Sequence, residues 1–193
     1  MRFVATTAFI TAIGSGAFAE MATYELDPAH TTVFFTVDHI GYAKTLGLFT
    51  TVSGNFMYDA ATQELGAVSV NIDAASVESF NDARDEHLRK ADFLDVSAHP
   101  AITFTATGGN ATSATTGTVT GDLTILSNSL PVTLEVTLNK SAPYPFGHKR
   151  DVLGLSMNTT INRSEFGMTY GVDNGLVGDV VDIQIETEAM KVE

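Results

Sequence analysis

Five histidines are the side chains best suited to hold a metal or move a proton: His30, His39, His87, His99 and His148. None stands two or four residues from another, as in His-x-His or His-x3-His, so no local ligand spacing is written into the chain and no metal is expected. Arg84-Asp85-Glu86-His87 is the densest charged cluster. It reads either as a polar group at a cavity mouth, meeting a ligand's head group, or as a short solvated helix tethering a loop. Runs of charge usually face solvent, which favours the second reading. Asp92 and Asp95 have the types of an acid–base pair, but Phe93 and Leu94 between them suit a loop anchored by burial. No Gly-x-Ser-x-Gly elbow, phosphate loop or dinucleotide fingerprint occurs in residues 20–193. With no cysteine there are no disulfides, thiolate metal sites or cysteine nucleophiles. The expectation is a protein that is not an enzyme and uses no cofactor.

The elements that would carry these side chains are strands. Val33-Phe35-Val37, Val68-Val70-Ile72, Ile102-Phe104-Ala106, Val119-Gly121-Leu123-Ile125, Val132-Leu134-Val136-Leu138, Leu153-Leu155-Met157 and Val181-Ile183-Ile185 each alternate with mostly polar residues. Period two places one face inside and one in water. Leu48 to Tyr58 adds an eighth strand. Asp59 to Thr62 and Ser127-Asn128-Ser129 read as turns, and Pro143 to Gly147 as a rigid loop. Pro131 is placed at a strand start. Asn81 or Asp82 can cap a short helix running towards Ala91, and Ser164 to Tyr170 can form another turn of helix. Eight such antiparallel strands make an all-β domain, either a sandwich or a closed barrel.

The ends and the charge bound the setting. Arg2, an apolar stretch from Phe3 to Ile13, a Gly14-Ser15-Gly16 break and Ala17-Phe18-Ala19 together read as a signal peptide over residues 1–19. The run is too short to span a bilayer, and no other segment is long enough. Residues 20–193 then form one exported domain, and a bacterial periplasm suits it. The net charge of −13 argues against nucleic acid and against docking on anionic lipid.

Several motifs, in order, resemble one family. Asp27-Pro28-Ala29-His30-Thr31-Thr32-Val33-Phe34-Phe35 is similar to the Asp-x-x-His-Ser-x-Val-x-Phe opening of YceI-like proteins, with Thr31 in place of Ser. Gly47-Leu48-Phe49 with Gly54 and Asp59 resembles the second hairpin. Arg84-Asp85-Glu86-His87-Leu88 and Asp92-Phe93-Leu94-Asp95 resemble the family's Arg-Asp-x-His-Leu and Asp-Phe-Phe-Asp segments. Gly121-Asp122-Leu123-Thr124, Pro131-Val132 and Asn162 to Gly167 follow in register, so that the resemblance runs from Tyr24 to about Ala189. It implies an extended, eight-stranded, lipocalin-like antiparallel barrel with one or two short helices in its loops. It also implies a polyisoprenoid, an isoprenoid quinone or another long amphiphile held inside.

Transfer energetics agree with a long tunnel. One buried CH₂ contributes about 0.8 kcal/mol, so a five-carbon unit gives on the order of 4 kcal/mol. Association costs roughly 4–15 kcal/mol, and several units must be buried to exceed it. Period two points inward Phe35, Val37, Val70, Ile72, Phe104, Leu123, Leu134, Val136, Leu155, Met157, Ile183 and Ile185. His39, Phe49, Arg84, His87 and Phe166 complete the expected ligand-binding set. Two other readings stay open: an enzyme acting on a lipid through Arg84 and His87, and an adaptor with a filled core. Exposed edges and loops leave room for a homodimer.

Overall fold

The computed structural model describes residues 21–192. The signal-peptide reading of residues 1–19 therefore lies outside the described residues.

The alternating segments form one antiparallel sheet closed on itself. Strands β1 (Ala22–His39), β2 (Ala43–Phe49), β3 (Val52–Asp59) and β4 (Glu64–Asp73) come first. A 3₁₀ turn (Ala74–Ser76), β5 (Val77–Glu78) and the helix α1 (Asp82–Leu88) follow. β6 (Ala101–Ala106), β7 (Asn110–Ala111), β8 (Thr116–Ile125), β9 (Asn128–Pro143), β10 (Asp151–Asn162), a 3₁₀ turn (Arg163–Phe166) and β11 (Val177–Lys191) complete the chain. β2 and β3 lie end to end along β1, and β11 pairs back onto β1. The result is a closed eight-stranded barrel with short extra strands, as the family resemblance implied. Closure removes the sheet edges that a sandwich would leave.

The differences from the sequence reading have physical reasons. The segment from Leu48 to Tyr58 is two strands, because β2 pairs with β5 while β3 pairs with β4. The β8–β9 turn is Leu126-Ser127, one residue earlier than expected, since Ile125 pairs with Asn128. Pro131 lies inside β9 rather than at its start. There β9 pairs only with β8, and its pairing with β10 begins at Glu135, so the missing donor leaves no ladder bond unmade. Pro143 is the last residue of β9 and β10 begins at Asp151, so the loop starts one residue later than expected and runs on to Arg150. The second helical turn spans Arg163–Phe166, not Ser164 to Tyr170. Helix α1 starts where expected: Asn81 caps it, its Oδ1 accepting from Arg84 N at 3.0 Å.

Antiparallel register puts α1, the β1–β2 turn and the 163–178 segment at one end of the barrel. The β3–β4 turn and the 107–118 loop lie at the other. Two apolar clusters pack within. The larger includes Val77, Ile102, Ile125, Ile161, Phe166 and Met168, and the smaller joins Tyr24, Phe56, Leu153 and Ala189 at the far end. Tyr24 stacks on Phe56 there, with ring centroids 5.6 Å apart.

A hollow barrel with a tethered mouth

The inward faces do not fill the barrel. Phe35, Val136, Met157, Ile183 and Ile185 point inside, yet each is only half-buried. Their free surface borders a cavity of about 570 Å³, within the range of small-molecule sites. Register joins its walls: Val33 lies beside Phe49 and Ile185, Ile185 beside Met157, and Met157 beside Val136. Across the barrel Val70, Phe104 and Leu123 run in one row.

All the expected ligand-binding residues line this cavity except Phe166. Phe166 is 1 % exposed and sits in the larger apolar cluster, so its side chain packs the barrel end. It ends a 3₁₀ turn rather than lying on a strand, and its apolar type, not its period, marks it in the sequence. Period two would also have found Val119 and Leu138, which line the wall. Polarity hid Thr31 and Thr187, a buried pair on the wall whose hydroxyls lie 2.7 Å apart.

The α1 end carries the charged groups, and most of them are engaged in holding loops. Arg84 lines the cavity, but its Nε donates to Ser79 Oγ at 2.7 Å and its Nη2 to Ser79 O at 2.5 Å. The neighbouring Asp85 is buried and accepts from Ser79 N at 2.8 Å and from Ser79 Oγ. Burial pushes its carboxyl up, but the Ser79 bonds outweigh that and hold it below the ordinary value. His87 donates from Nε2 to Asp92 Oδ2 at 2.8 Å. Its ring also meets Phe93 and Tyr170 edge-on, at 5.0 and 5.2 Å. The cluster thus lines the cavity at the α1 end and tethers the loop there.

Beneath that aromatic group lies Arg163, 3 % exposed and not expected at the site. Its guanidinium donates to the carbonyls of Gly178, Met168, Tyr170 and Val177 at 2.7–2.9 Å and lies 5.8 Å from the Phe93 ring centroid. Burial lowers its pKa, against the opposing charge of Asp179. Around this mouth Ile40, Tyr42, Phe80 and Leu176 hold apolar side chains in water, and His39 is exposed beside them.

One histidine does meet carboxylates through the fold. Asp27, His30 and Glu188 each place a ligand-type atom within 4.8 Å of the others on the outside of the barrel. His30 already donates to Asp27 at 2.8 Å, and no metal role is assigned to the group.

Known proteins share this architecture. The family model for the YceI-like domain matches residues 24–189. A UPF0312 protein of Pseudomonas putida (strain W619) is 35% identical over 189 residues, which cover 97% of this chain and 96% of that protein. One from Azotobacter vinelandii (strain DJ) is 34% identical over 181 residues, covering 93% and 92%. The crystal structure of a Campylobacter jejuni YceI protein superposes with a TM-score of 0.74 at 29% identity, over 81% of this chain and 90% of that one. Burkholderia cenocepacia BcnA gives a TM-score of 0.76 at 24% identity, over 86% and 99%. A polyisoprenoid-binding domain from Saccharophagus degradans, implicated in plant cell wall breakdown, gives 0.62 at 15% identity over 89% and 99%. The last two establish likeness of fold.

Proposed function

Because the chain belongs to the YceI-like family, we propose that it is a non-catalytic binding protein for a polyisoprenoid or similar long-chain amphiphile, carried inside the barrel. The observation that carries this reading is the hollow: about 570 Å³ left open among valine, leucine, isoleucine and phenylalanine side chains. A protein interior is normally close-packed, and a void forfeits contacts on every wall. A long apolar ligand would restore them. The polyisoprenoid-binding function of a neighbour with the same fold supports the ligand class, and an isoprenoid quinone falls within it.

Binding of this kind needs no acid, base or metal. The apolar tail would lie along the strands, while Arg84, His87 and His39 at the α1 end would meet the polar head. The signal-like residues 1–19 favour the periplasm, where an apolar chain needs a dry container to cross water. The filled-core adaptor reading fits the cavity poorly.

Mass spectrometry of lipid extracted from the purified protein tests the proposal. A stoichiometric long-chain isoprenoid is expected from the wild type. Val136→Glu places a carboxylate on the apolar wall and should abolish retention in a folded protein. No lipid in the wild type, or full retention in the variant, would count against the reading.

A further inference from the structure

The width of the lumen depends on a missing side chain. Phe35 on β1 stands directly opposite Gly47 on β2. A Cβ at Gly47 would lie 2.9 Å from both Cε atoms of the Phe35 ring and nearer still to Cζ. Nonbonded carbons settle at about 3.5–4.0 Å, so ring and methyl group cannot share that space. The ring lies down over Gly47, tilted against Phe49 with centroids 5.7 Å apart.

The backbone does not require glycine here. Gly47 lies outside the left-handed region, within a regular strand where glycine is normally unfavourable. What the position supplies is room. On the other side of Phe35 stands Ile183 of β11, so a ring displaced from Gly47 can move only into the lumen.

We propose that Gly47 is a specificity-determining position: by stowing the Phe35 ring against the wall, it keeps the cross-section wide enough for a methyl-branched chain. This rests on the lipid-binding reading. A straight chain is thinner than an isoprenoid, whose methyl groups project at regular intervals. Narrowing the lumen at one level therefore excludes the branched chain first.

Delipidated wild type, Gly47→Ala and Gly47→Ala/Phe35→Leu should be titrated with two alcohols of equal carbon number, the isoprenoid geranylgeraniol and the unbranched 1-eicosanol. Displacement of a fluorescent polyene fatty acid reports binding, and circular dichroism reports folding. Gly47→Ala is expected to weaken geranylgeraniol about tenfold or more while 1-eicosanol changes far less. Phe35→Leu in the same chain should restore the branched alcohol. Equal losses for both alcohols, no loss, or no recovery would overturn the assignment. A wild type that binds neither alcohol overturns the lipid-binding reading itself, and this inference with it. Should Gly47→Ala fail to fold, Phe35→Trp crowds the same notch from the other strand and must discriminate in the same direction.

Discussion

Arg163 shows how much of the barrel mouth hangs on one side chain. Its planar fork satisfies four carbonyls from the segment between Met168 and Gly178, which has little regular structure of its own before β11. Lysine carries the same charge but cannot span those four acceptors. Arg163→Lys is therefore expected to lower stability by about 2–4 kcal/mol, since buried carbonyls lose their partners. Urea unfolding measures the loss, and hydrogen exchange should quicken in residues 168–176 while the strands stay protected. Unchanged exchange there would show that the loop holds without Arg163. Residues of this kind were hard to find in the sequence. Period two located the wall residues on strands because their type and spacing agree, as for Val136 and Ile185. It could not find Arg163, whose charge suggests a surface, nor Thr187, whose hydroxyl breaks the apolar pattern of β11. Phe166 was marked by its apolar type alone, and its backbone is a 3₁₀ turn rather than a strand.

At the scale of elements, the Asp-x-x-His opening of β1 has a structural role. Between Leu26 and Thr31 the register with β11 shifts, leaving four residues opposite Glu188 alone. Asp27 clasps this bulge: its Oδ1 accepts from Ala29 N at 2.9 Å, its Oδ2 meets His30 Nδ1 at 2.8 Å, and its carbonyl accepts from Thr31 Oγ1 at 2.7 Å. The sequence displayed the motif and the strand after it, but not the bulge, because one strand cannot show what its partner omits. The clasp makes stability depend on pH. The hydrogen bond to Asp27 raises the His30 pKa above its ordinary 6.5. Burial pushes the Asp27 carboxyl up, but bonds from His30 and Ala29 prevail and hold it below 3.8. A raised histidine stabilises fully below its unfolded value and loses that contribution as pH rises through the folded one. A lowered aspartate stabilises above its unfolded value and loses that as pH falls through the folded one. The clasp is thus strongest from about pH 5 to about pH 6 and weakens towards alkaline pH. Urea midpoints should fall between about pH 6 and pH 9, and His30→Asn should flatten that slope. An equal slope in the variant would assign the dependence to other groups.

For the whole molecule, alternation made an all-β domain legible but left sandwich and barrel open, because a buried face looks the same in both. The β1–β11 seam that closes the barrel joins the two ends of the domain, and only the fold reveals it. The hollow was less legible still. Valine and isoleucine at inward positions specify an apolar interior, not whether side chains from opposite walls meet across it. An empty lumen leaves its walls short of partners, so the ligand should act as part of the core. Anything that binds only the folded state stabilises it by mass action, about 2.7 kcal/mol at a hundredfold excess over Kd. For a domain of this size each kcal/mol moves Tm by roughly 2–4 °C. Saturating the delipidated protein with an isoprenoid alcohol should therefore raise Tm by about 5–10 °C in scanning calorimetry. Val136→Glu, which places a charge on the lumen wall, should unfold at the same temperature with and without the alcohol. A Tm indifferent to the ligand in the wild type would mean that the folded chain does not bind the alcohol, and that the hollow is tolerated by the strand ladder alone.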